Sequence, residues 1–185
     1  MSDMACDLRT LDRTAIEEAF HGCFRESENT RLQGGAAEPL YRPARDNEPH
    51  CIYYTLDYAA SALHEVAHWC VAGEERRRLE DYGYWYAPDG RSEEQQQLFE
   101  TVEVRPQAME WIFNTAAGRQ FRVSADNLTM GLGPSDSFKQ AVFEQTRRFC
   151  REGLPPRAAR FALALALRSG VENPFAEELY LRQAL

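Results

Sequence analysis

Residues 57–73 read DYAASALHEVAHWCVAG. After Asp57 the composition turns to Ala and Leu. Asp57 can cap a helix start and Gly73 can end one, so the stretch predicts a helix of about four turns. Inside it stands His64-Glu65-Val66-Ala67-His68. Helix positions four apart lie about 40° apart around the axis, so both imidazoles leave one face and can share a metal ion, while Glu65 stands about 100° away, in reach of a catalytic or supporting role. Spacing alone would also fit two ordinary histidines on an amphipathic helix. The flanks argue otherwise. Leu63, Val66, Ala67, Trp69 and Cys70 make the helix apolar nearly all round, which predicts burial, and buried imidazoles need a partner that a metal supplies.

A metal with open positions for chemistry needs a third protein ligand. His21 and His50 fall in poorly patterned stretches, which favours a carboxylate. Residues 99–110, FETVEVRPQAME, offer Glu100, Glu103 and Glu110. Glu103, between Val102 and Val104 and beside the expected core face, has the most buried setting, where a carboxylate needs a cationic partner. It is the expected ligand and Glu100 the alternative. Glu100 and Glu110 otherwise read as solvated helix charges.

Outward from these segments, Leu11–Phe24 carries a helical apolar pattern. Residues 25–50 read as loop with one short strand at Leu40–Arg42, and Cys51–Leu56 reads as a strand. A short charged helix, EERRRLED, is expected over 74–81. An aromatic segment at Tyr82, Tyr84, Trp85 and Tyr86 either lines the approach to the metal or packs into the core, and a turn is expected at Pro88-Asp89-Gly90. Further helices are predicted over Glu93–Phe113, with Pro106 awkward inside it, over Ser137–Arg151 and over Pro156–Ser169; Gln120–Ser124 reads as a strand. Arg76-Arg77-Arg78 reads as a solvated face, Asp126 as a turn residue or a partner for a cationic substrate, and Trp69 and Trp111 as core. The expected fold is α+β: a mainly helical single domain over 1–185, with a small sheet and a zincin-like HExxH helix.

The 185 residues are 44% hydrophobic and 27% charged, with a net charge of −8. That balance argues against global disorder and against nucleic acid or an anionic membrane as partner, and favours a basic one. Five cysteines without a CxxC pair fit reduced thiols in the cytoplasm. The polar start lacks the apolar core of a secretory signal, and the longest apolar run, Phe161–Leu167, is far short of the roughly 20 residues that span a bilayer.

Two histidines and a carboxylate suit Zn²⁺ in a peptidase, with Glu65 as general base, and Fe²⁺ in an oxygenase equally well; the spacing leaves both open. The segments ALHEVAHWCVAG (62–73), DYGYWYAPDGR (81–91), FETVEVRPQAMEW (99–111) and VSADNL (123–128), with NTRL (29–32) and EPLYRPA (38–44), resemble the elongation factor P hydroxylase family of bacteria, over about residues 15–165. The resemblance implies hydroxylation of the elongation factor P lysine that already carries a β-lysyl group. It implies a metal held by two histidines and one glutamate, carried over here to His64, His68 and Glu103. The expected cofactor is then Fe²⁺, with Zn²⁺ the alternative, O₂ is the oxidant, and elongation factor P is the partner. A zinc metallopeptidase using Glu65, and a non-catalytic adaptor with a closed structural metal site, are the competing readings.

Overall fold

The computed structural model describes residues 8–83, 92–124 and 133–185. Helix α1 (Arg13–Phe24) begins where the Asp12 carboxylate accepts the Ala15 amide at 2.9 Å, and it buries Ile16, Ala19, Phe20, Cys23 and Phe24 on one stripe. Three strands follow, β1 (Thr30–Ala36), β2 (Leu40–Arg42) and β3 (His50–Thr55). β3 is central, parallel to β1 and antiparallel to β2.

β2 and β3 match the sequence reading; β1 does not, because residues 30–36 read as loop. The strand's TRLQGGA carries only one large apolar residue, Leu32, and its Gly-Gly pair resembles punctuation. The first glycine answers a close approach instead. A Cβ on Gly34 would stand 2.8 Å from the Leu56 carbonyl oxygen and from the Tyr54 ring, whose hydroxyl donates to Glu17 at 2.7 Å. His21 and His50 serve this region. His21 Nε2 accepts the Leu32 amide at 3.1 Å, joining α1 to β1, and His50 Nδ1 accepts the Ala44 amide at 3.0 Å. Burial lowers the pKa of both imidazoles.

Helix α2 (Ala59–Val71) is the HExxH helix. Asp57 does not cap it; that carboxylate pairs with Arg13 at 3.1 Å, and the helix opens after Tyr58 with no side-chain cap. Its far side is fixed by Trp69, fully buried against Phe20 and Phe24 at ring distances of 5.5 and 4.9 Å. The Arg157 guanidinium lies 4.3 Å above the same indole and donates to the Ala72 carbonyl at 2.7 Å, which satisfies the helix end. With Trp69 in the core, the histidine face must turn the other way.

The charged segment after α2 forms two short 3₁₀ turns, Arg76–Arg78 and Glu80–Gly83, not one helix. Arg77 is not simply solvated: it pairs with Glu28 at 2.9 Å and sits 5.7 Å over Trp69. Tyr82 is buried and stacks on Tyr41 at 4.4 Å, which favours the core reading for that residue. Tyr84, Trp85, Tyr86, the 88–90 turn and Asp126 lie outside the described residues.

Helix α3 (Glu93–Ala116) starts with a Ser92/Gln95 capping box and runs through Pro106. Helices α4 (Asp136–Glu152) and α5 (Pro156–Ser169) lie where the sequence put them. Gln120–Ser124 is not a strand: the Ser124 peptide pairs with the Gln107 side chain, whose amide accepts from its nitrogen at 3.1 Å and donates to its oxygen at 2.7 Å. The result is the expected mainly helical α+β fold with a small sheet.

Candidate metal centre

α3 packs along α2 and carries an uncommon set of buried polar residues: Gln96, Glu103, Gln107, Glu110 and Asn114. Their spacings of seven, four, three and four residues put them on one face. That polar stripe meets the histidine face of α2. Nε2 of His64 and Nε2 of His68 stand 3.0 Å apart; Glu103 places one carboxylate oxygen 3.2 Å from His68 Nε2 and the other 3.7 Å from His64 Nε2. Among the described residues these three form a cluster whose ligand atoms lie within 4.8 Å of one another.

The donor set can be tested against an ion. Atoms each about 2.1 Å from a common metal at octahedral-to-tetrahedral angles stand roughly 3.0–3.4 Å apart, close to the observed triangle. Two of the three separations fall in that range and the third, at 3.7 Å to the other Glu103 oxygen, lies just outside it; with Glu103 only 3% exposed, two imidazoles and a carboxylate so placed fit a divalent cation. The electrostatics agree. Desolvation by itself would raise the Glu103 carboxyl, but His68 and then His64 outweigh it and hold it at about 2. Desolvation likewise opposes a proton on His64, yet the Glu110 and Glu103 carboxylates win and raise its pKa well above the ordinary imidazole value. The pocket favours positive charge at its centre.

Glu110 corrects the sequence reading. It is not solvated but 8% exposed, and its Oε2 lies 2.8 Å from His64 Nδ1. The signal was present: seven residues rotate a helix by two turns less about 20°, so a buried Glu103 places Glu110 on the same face. Gln107, also missed, donates to Glu103 at 3.4 Å while holding Ser124. Glu100 stands apart from the triangle; its half-buried carboxylate accepts the Ser135 amide at 3.1 Å and hydroxyl at 2.6 Å, at the start of α4. Glu65 is half-buried beside the cluster, its carboxyl raised by loss of water. His68 and Glu103 also border a narrow cleft of about 30 Å³, walled by Val71, Ala72, Val102 and Pro106, sized for a molecule no larger than a water or two.

The chain is similar to known proteins of one family. The profile of the family described as Elongation factor P hydroxylase matches residues 19–178. A Haemophilus influenzae protein named Elongation factor P lysine hydroxylase is 56% identical over 155 residues, covering 83% of this chain and 87% of that protein.

Proposed function

Since this chain belongs to the elongation factor P hydroxylase family, we propose that it hydroxylates elongation factor P on the lysine side chain that carries a β-lysyl group, with His64, His68 and Glu103 holding a divalent metal, Fe²⁺ in preference to Zn²⁺. The observation that carries the metal reading is the triangle of two imidazole nitrogens and a buried carboxylate on adjoining helices. Iron bound there would supply the redox chemistry by which O₂ oxidises a C–H bond.

The chain's own residues supply the rest. His64 and His68 would each offer the metal an imidazole nitrogen, and Glu103 the negative charge that offsets part of the metal's. Gln107 keeps Glu103 from turning away by donating to its carboxylate. The apolar walls Val71, Val102 and Pro106 keep the approach short of water. Glu65, beside His64 and partly shielded from solvent, is the residue we assign to accept or hold a proton at the rim of the site. The net charge of −8 draws in a substrate side chain bearing amino groups. We further propose that the 185 residues work as one unit in the cytoplasm on a protein substrate, not on nucleic acid or a membrane. In support, Cys23, Cys51, Cys70 and Cys150 are free thiols, and no helix among the described residues is long and apolar enough to cross a membrane.

The test is to load the chain anaerobically with Fe²⁺, add β-lysylated elongation factor P, O₂ and excess ascorbate as the donor of the two electrons that carry the second oxygen atom to water, and weigh the product. A gain of one oxygen atom on that protein is expected. No gain from a folded, iron-loaded chain would overturn the reading, and peptide cleavage by the zinc-loaded chain would put the metallopeptidase in its place.

A further inference from the structure

We infer that Glu110 is a positioning residue for the metal centre: its carboxylate fixes His64 in the one tautomer and ring orientation that turn Nε2 toward His68 and Glu103. The inference rests on the metal-centre reading above. A neutral imidazole carries a single N–H, and which nitrogen bears it is set by the partner of the other. Here Glu110 Oε2 lies 2.8 Å from His64 Nδ1. A carboxylate can only accept, so a hydrogen stays on Nδ1, and Nε2, 3.0 Å from His68 Nε2 on the side of the triangle, is the nitrogen that gives up its proton to offer a lone pair to a metal.

Three further observations support this. Glu110 is 8% exposed, so it has little water as an alternative donor, and its hydrogen bond to His64 is short. It is not itself a ligand, since it touches the ring nitrogen facing away from Glu103. It also sits on the same helix as Glu103, two turns on, so a single rigid element carries both the carboxylate that completes the triangle and the one that aims a histidine into it. Among the described residues no carboxylate stands within ion-pair distance of His68 Nδ1, so the two histidines are held differently.

Outer partners of this kind are worth about 10–100-fold in metal affinity. The experiment compares the full-length wild type with Glu110→Gln and Glu110→Ala, measuring Co²⁺ and Zn²⁺ affinity by competition with a chromophoric chelator, the Co²⁺ absorption spectrum, and the melting point of the metal-free chains. Glu110→Gln keeps an acceptor oxygen without the charge and is expected to lose about tenfold in affinity; Glu110→Ala is expected to lose up to about a hundredfold, with an altered Co²⁺ spectrum. A purely structural role would lower the metal-free melting point in both variants and leave affinity and spectrum alone, and that outcome overturns the inference. So does wild-type affinity in both folded variants. If the wild type itself binds neither ion, the metal-centre reading falls and this inference with it; if the wild type binds and the variants match it, only the inference falls. Should Glu110→Ala not fold, Glu110→Gln alone decides.

Discussion

Replacing Glu103 with Gln keeps the side chain's shape and removes the one negative charge in the triangle. That carboxylate is 3% exposed and stands 3.2 and 3.7 Å from the two histidine nitrogens. Removing one partner from a buried, paired charge costs about 3–5 kcal/mol, so metal affinity should drop at least about a hundredfold. Melting curves make the drop visible. At a free metal concentration a hundred times the wild-type Kd, binding stabilises the fold by about 2.7 kcal/mol, which for a chain of this size raises Tm by roughly 5–11 °C. At the same concentration the variant is only half saturated, the gain shrinks to about 0.4 kcal/mol, and the rise should be about 1–2 °C. Glu100→Gln is the control on the same helix. Its carboxylate serves the Ser135 amide and hydroxyl, so the variant should lose about 1 kcal/mol of stability while keeping the full metal-induced rise. A wild-type rise in Glu103→Gln, or loss of the rise in Glu100→Gln, would refute the assignment.

Glu65→Gln should keep the metal-induced rise in Tm while slowing turnover, because the side chain lies beside the triangle and not in it; loss of the rise would make Glu65 a ligand. Gly34→Ala should cost about 1–3 kcal/mol in urea unfolding, because the new Cβ meets the Leu56 carbonyl and the Tyr54 ring at 2.8 Å, and an unchanged midpoint would show that the β1–β3 pair yields there at no cost. His21 and His50 both bind a proton less readily folded than unfolded. Below the unfolded imidazole's pKa of about 6.5 the unfolded chain takes up more protons, so these residues make stability fall as pH drops from about 7 to 5. The slope of the urea midpoint against pH should shrink in His21→Asn, and an unchanged slope would remove His21 from that account.

Where a local pattern and its tertiary surroundings demanded the same thing, the sequence could be read. The HExxH helix, the apolar stripe of α1 and the helices α4 and α5 all have side chains at the period their partners need. The reading failed where the deciding contact comes from elsewhere in the chain. Gly34 looked like a loop residue because the Tyr54 ring that crowds it lies 20 residues on. Asp57 looked like a cap, but Arg13 claims it. Residues 120–124 alternate like a strand, yet the partner of the Ser124 peptide is the amide of Gln107, a pairing that composition does not announce. Glu110 is a different kind of failure. The helical geometry that pairs His64 with His68 on α2 also pairs Glu103 with Glu110 on α3.

All three atoms of the triangle, and the carboxylate behind it, come from two helices and from no loop among the described residues. The site's dimensions are therefore set by how two stiff rods lie across each other, not by any one ligand's freedom. The His64–His68 edge lies within α2, whereas both edges to Glu103 cross from α2 to α3. A substitution that shifts α3 against α2 should therefore change those two edges together and leave the first alone, so that the choice between a small ion and a larger one can be retuned from positions that never touch the metal.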